Sequence, residues 1–193
     1  MFQMITAPSE VLSQVAKQIV RVDETILKVV DGMKETLAAT HDPEGVGLAA
    51  PQIGKSLQIF IMKPNPDSIV TTYINPVIIS RTDKSTAAQK SLTGKNIKST
   101  RKKRDDTKLE GCLSLPTIWG PVHRSPSLVL EYLDETGKKH RKTFRGFPAT
   151  IIQHEVDHLN GILFPKRVLE QKGKLYKSKK DKQDEDIFEE LEI

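Results

Sequence analysis

Apolar positions recur every three or four residues from Asp23 to about Thr40, where Ile26, Val29, Val30, Met33 and Leu37 form one stripe. That spacing predicts an amphipathic helix, with Asp23 placed to cap its first turn. His41-Asp42-Pro43 breaks the pattern, and EGVGLAAPQIG follows, a run of small residues suited to a loop or short extended segment. Leu57 to Met62 and Thr71 to Ile79 then read as strands on either side of a Lys63-Pro64-Asn65-Pro66 turn. Leu128 to Leu133 and Lys139 to Phe144 flank Asp134-Glu135-Thr136-Gly137, which predicts a hairpin.

A second helix is predicted from Gly146-Phe147-Pro148 through IIQHEVDHLN, with a proline in its first turn and Gly161 placed for a left-handed cap. Ala149, Ile152, Val156 and Leu159 make an apolar stripe on it, and Ile151, His154, Glu155 and His158 fall on the adjacent face. The fold class expected is α+β in a single domain. Antiparallel or mixed β-sheets pack around this central helix, and an N-terminal amphipathic helix covers them.

The chain has 193 residues, of which 37% are hydrophobic and 28% charged, enough for one core and cramped for two. We divide it into a catalytic domain over 1–165, carrying a basic insertion over 80–108, and a charged tail over 166–193. The formal charge of +5 is local: Arg81 to Lys108 alone carries +7 and leaves −2 for the rest. That segment is polar and nearly free of aromatics, the composition of a flexible insertion. The tail holds eight Lys/Arg and eight Asp/Glu, with Ile187, Phe188 and Leu191 suggesting a last amphipathic turn. No apolar run approaches the roughly 20 residues of a bilayer span, and MFQMITAPSE lacks the features of a secretory signal. A cytoplasmic protein with no membrane and no DNA partner is therefore expected.

Chemistry is concentrated in three places. His154-Glu155-Val156-Asp157-His158 fits HExxH, in which two imidazoles one helical turn apart point from the same face and can grip one ion. A catalytic metal usually takes a third protein ligand and keeps one position for water. The single cysteine, Cys112 in LEGCLSLP, excludes an internal disulfide and is a buried thiol, a ligand or a nucleophile. Glu170, twelve residues beyond His158, is the alternative third ligand, in a charged stretch that reads as solvent-facing.

GVGLAAPQ (Gly45 to Gln52), EGCLS (Glu110 to Ser114) and QHEVDHLNG (Gln153 to Gly161) together resemble, in order, the three signature motifs of peptide deformylases. The similarity extends through Gly54, Asn75-Pro76 and Arg124, covering most of residues 20 to 165. The resemblance implies a metal set of Cys112, His154 and His158, with Glu155 as general acid/base. It also implies Gln52 and the backbone N–H of Leu113 as oxyanion donors. Ferrous iron is the metal implied, with zinc, nickel or cobalt able to occupy the site. The implied substrate is the N-terminal formylmethionine of nascent polypeptides, freed of its formyl group as formate, with the ribosome as a further partner. By position Val46 and Ile151 line the methionine pocket, Gly47 binds substrate within the small-residue segment along which its backbone can pair as an added strand, and Glu110 pairs with Arg124. The insertion is longer than the matching stretch of most deformylases.

Two other readings stay open at this level. One is a zinc endopeptidase completed by Glu170. The other is an RNA- or ribosome-binding protein using the KSTRKKR run, Lys98 to Arg104, to neutralise phosphates.

Overall fold

Within Ile59–Met62 (β2) successive side chains point to opposite faces, and both faces are covered. Ile59 and Ile61 pack with Val30, Met33 and Leu37 of the helix Glu24–Ala38 (α1). Phe60 and Met62 pack with Ile151, Ile152 and Leu159 of the helix Phe147–Leu159 (α2). A sheet with a helix on each side therefore divides the core, and this explains why β2 reads as an unbroken apolar run.

The structure is a computed structural model that describes residues 1–41, 44–82, 109–180 and 186–192. Its first sheet comprises Gly47–Ala49 (β1), β2, Thr71–Arg81 (β3), Ser127–Leu133 (β6) and Lys139–Arg145 (β7), in the order β1-β2-β3-β6-β7. The second comprises Leu109–Cys112 (β4), Leu115–Pro121 (β5), Tyr176–Lys180 (β8) and Asp186–Glu190 (β9), in the order β4-β5-β8-β9. Every pairing within the two sheets is antiparallel. A short helix, Phe164–Glu170 (α3), buries Phe164 and Val168 against Val122 and Leu175 to close the second sheet.

Local chemistry accounts for the elements. The Asp23 side chain accepts from Ile26 N–H at 3.0 Å and caps α1, as its position predicts. Gly161 takes φ +68 just past α2, where a side chain is disfavoured. Asn75, at φ +49, bonds both backbone groups of Ile19, at 2.9 Å and 2.7 Å, and so ties the N-terminal segment to the irregular middle of β3.

The tail departs from expectation. Ile187 and Phe188 lie in strand β9 rather than in an amphipathic turn, and α3 spans the 165/166 division. The tail's balanced charges explain this, because Lys179–Glu189 at 2.5 Å and Lys174–Glu190 at 2.7 Å pair across the hairpin. β5 was not predicted, since Pro116, Gly120 and Pro121 interrupt its alternation. Of the basic insertion, residues 83–108 lie outside the described residues, while Ser80 and Arg81 end β3. Among the described residues no helix is long and apolar enough to cross a membrane.

Candidate metal centre and active site

The outermost strand of each sheet faces a shared cavity of about 260 Å³. Val46 and Gly47 line it from the β1 side, Glu110 to Leu113 from the β4 side, and Ile151, His154 and Glu155 from α2. Gln52, Leu109, Trp119, Phe147 and Thr150 are among its other walls. α2 presents its apolar stripe to the first sheet, which leaves the histidine face for the cavity.

At the inner end of the cavity one donor atom from each of Cys112, His154 and His158 lies within 4.8 Å of the other two. Cys112 Sγ and His158 Nε2 are 3.1 Å apart. A tetrahedral ion with ordinary metal–nitrogen and metal–sulfur bonds holds such atoms roughly 3.3–3.6 Å apart, so small adjustments seat it. Glu170 does not join the cluster: it pairs with Arg167 at 3.0 Å on the exposed side of α3.

The surroundings also fit a cation. Burial opposes a charge on both imidazoles. For His154, hydrogen bonds to Cys112 and Glu110 override that and hold its pKa well above the usual value. His158, given only the further repulsion of His154 and Arg124, stays well below it. The thiol and carboxylates around the His154 ring thus favour a positive charge at this point. His158 Nδ1 and Glu155 Oε2 are buried without a protein hydrogen-bond partner among the described residues.

Around this cluster the supports are explicit. Glu110 Oε2 lies 3.2 Å from His154 Nδ1 and so orients the ring. Burial would raise the Glu110 carboxyl, yet hydrogen bonds with His154 and Arg124 hold it down to about 2. Arg124 makes a fork to Glu110, both contacts at 2.9 Å, and reaches Asp157 at 2.5 Å. Arg167 grips the same Asp157 at 2.7 Å. The Glu110–Arg124 pair expected from the sequence is thus half of a chain of charges. Asp157 and Arg167 were missed, although Asp157 lies inside HEVDH itself.

Gln52 is 2% exposed, and its Oε1 accepts from Ala49 N–H at 2.8 Å. Its Nε2 therefore faces the metal cluster, 3.6 Å from Cys112 Sγ and 3.3 Å from Ser114 Oγ. Leu113 lies beside it in the two-residue turn between β4 and β5. Ser114, fully buried, was not singled out from the sequence although EGCLS contains it. Glu155 is 3% exposed, and burial pushes its carboxyl up to about 7. Glycine is needed at 47, because a Cβ there would collide with Glu155 Oε1 and stand 2.9 Å from Ile151 Cγ2.

A thiol and two imidazoles around one point, with a buried carboxyl of raised pKa beside them, fit an α+β metal-dependent hydrolase. Within that class the chain belongs to the polypeptide deformylase family, whose model matches residues 1–174. The peptide deformylase of Pseudothermotoga lettingae is 36% identical over 154 residues, which are 80% of this chain and 75% of that protein. The crystal structure of peptide deformylase from Thermotoga maritima superposes with a TM-score of 0.68 at 30% identity, covering 86% of this chain and 97% of that one. A Met-ala-ser bound peptide deformylase from Acinetobacter baumannii gives 0.67 at 29% identity, covering 86% and 98%.

Proposed function

We propose that this chain removes the formyl group from the N-terminal formylmethionine of nascent polypeptides and releases formate. The observation that carries the reading is the convergence of Cys112, His154 and His158 at the floor of a narrow cavity beside Glu155. These three residues hold one divalent ion, and Fe(II) suits a set of one thiolate and two imidazoles, with zinc, nickel or cobalt as substitutes. When bound, the ion lowers the pKa of water and polarises the formyl oxygen.

The chain's own residues do the rest. Among the described residues β1 and β4 each have an unpaired edge toward the cavity, so an extended peptide can add as a strand between the sheets. Val46, Gly47 and Ile151 receive the methionine side chain, and the bare backbone at Gly47 lets the peptide come close. Gln52 Nε2 and the Leu113 N–H donate to the oxygen that gains charge as water attacks the formyl carbon. Glu155 takes the proton from the attacking water and hands it to the departing amine. Glu110 keeps the His154 ring oriented throughout.

The substrate is made by translation, so we place the enzyme in the cytoplasm near the ribosome. The test is formate release from formyl-Met-Ala-Ser under anaerobic conditions, with metal analysis of the same sample. Turnover that fades in air identifies iron, and air-stable turnover leaves zinc, nickel or cobalt, which the metal analysis tells apart. Failure to release formate with the metal present overturns the reading, and hydrolysis of internal peptide bonds instead would favour an endopeptidase.

A further inference from the structure

Trp119 is the chain's only tryptophan, and on β5 it stands directly opposite Gly111 of β4. A Cβ at Gly111 would come within 2.8–2.9 Å of Cζ3, Cε3 and Cη2 of the indole. The six-membered ring therefore lies against bare backbone one residue before Cys112. It lines the cavity that holds His154 and Glu155, and it also lines a second cavity of about 660 Å³ walled by Leu113, Pro116, Ser178 and Lys179. With Cys112 and Leu113, which also line both, the indole thus forms a partition between two adjoining spaces.

What holds the partition comes from the end of the chain. Trp119 Nε1 donates to Ser178 Oγ at 3.1 Å, and the Phe188 ring meets the indole edge-on, with centroids 5.9 Å apart and planes at 87°. Ser178 and Phe188 are cross-strand partners in the β8–β9 hairpin, so their side chains share the face on which Trp119 sits. That hairpin lies beyond residue 174, where the family match ends. An unrestrained indole would lose rotamer freedom on meeting a ligand, whereas a clamped one offers a fixed aromatic surface.

We propose that the β8–β9 hairpin is a positioning element for substrate selection: Ser178 and Phe188 clamp Trp119 as the wall across which the residues after methionine leave the cavity. The inference rests on the deformylase reading. An extended peptide advances roughly 3.3 Å per residue, so the second and third residues must cross one wall of a cavity this size. The indole borders both spaces together with Cys112 and Leu113, and it is the largest of the three side chains between them. Selection by this device acts on peptide length and on the apolar character of the second and third residues.

Trp119 emission reports the partition directly, because no other tryptophan contributes. In the full-length, metal-loaded protein, titration with the product peptide Met-Ala-Ser shifts that emission saturably, while methionine amide shifts it little. In Phe188→Ala and Ser178→Ala the emission maximum of the free protein moves to longer wavelength. The ratio of kcat/KM for formyl-Met-Ala-Ser to that for formyl-methionine amide falls about fivefold in Phe188→Ala, through KM, as loss of one aromatic pair predicts. Phe188→Tyr restores the ratio. An emission unmoved by saturating Met-Ala-Ser, or a ratio unchanged in both variants, overturns the proposal. Absence of formate release from either substrate by the unaltered protein overturns the deformylase reading instead, and the emission titration then still decides whether the hairpin-held indole meets peptide.

Discussion

Cys112 Sγ lies 3.1 Å from His158 Nε2, although 46 residues separate the two in sequence. The contact requires the end of β4 and the last turn of α2 to agree in position, and neither segment alone makes a site. Because a soft thiolate is the only non-imidazole donor in the cluster, Cys112→Ala removes metal and formate release together. Metal content and turnover measured on the same anaerobic sample check this. A variant that keeps turnover with stoichiometric metal would show that some other ligand completes the site.

Glu155 calls for a different outcome. Glu155→Gln preserves shape and leaves the three donors in place, so metal is retained while proton transfer is lost. A decrease in kcat of about 10²–10⁴ is expected, with little change in KM. Steady-state kinetics beside metal analysis separate this from the cysteine variant. A kcat within threefold of the unaltered protein would remove Glu155 from the mechanism.

Gly47 tests how closely substrate must approach. Its added Cβ would meet the Glu155 carboxyl and Ile151 Cγ2, so Gly47→Ala displaces the Glu155 side chain and narrows the cavity beside Ile151 at once. Activity on formyl-Met-Ala-Ser falls at least about tenfold, and thermal melting moves by only a few degrees because the backbone there is ordinary β1. A large drop in melting temperature with full specific activity would mean that the site is not so tightly built.

The second helix and its two candidate ligands, His154 and His158, were legible in the sequence because α2 carries two signals in register. The apolar stripe from Ala149 to Leu159 predicts the helix, and the His154/His158 pair marks its other face. Cys112 as a ligand was not legible from spacing: a lone thiol 42 residues before the first histidine is equally an inert core residue until a family resemblance links the segments. β5 and the β8–β9 hairpin were obscured for opposite reasons. Prolines and a glycine broke the alternation of β5, and the hairpin's balanced charges imitate a solvated tail. Trp119 was consequently overlooked, since its importance lies wholly in what those two elements bring to it.

Arg124 is the residue on which the supporting charges depend. Its side chain is 8% exposed, and it binds Glu110 and Asp157, which are 11% and 7% exposed. Arg124→Met leaves Glu110 with only His154 as a partner, and breaking a buried ion pair in this way costs about 3–5 kcal/mol. Arg167 is 29% exposed and shares Asp157 with Arg124, so Arg167→Met should cost about 1 kcal/mol or less. Equilibrium urea unfolding of the two variants checks the contrast, and equal losses would refute it. The pH dependence follows from the same pair. Glu110 titrates at about 2 in the fold against an ordinary 4.5, so its contribution is complete above 4.5 and is lost as pH falls through 2. Arg124→Met raises the folded value toward 4.5 or beyond, because burial then acts with less opposition. The variant's stability curve therefore loses Glu110's share of its rise between pH 2 and 4.5, and an unaltered acid limb would show that His154 alone holds the carboxylate.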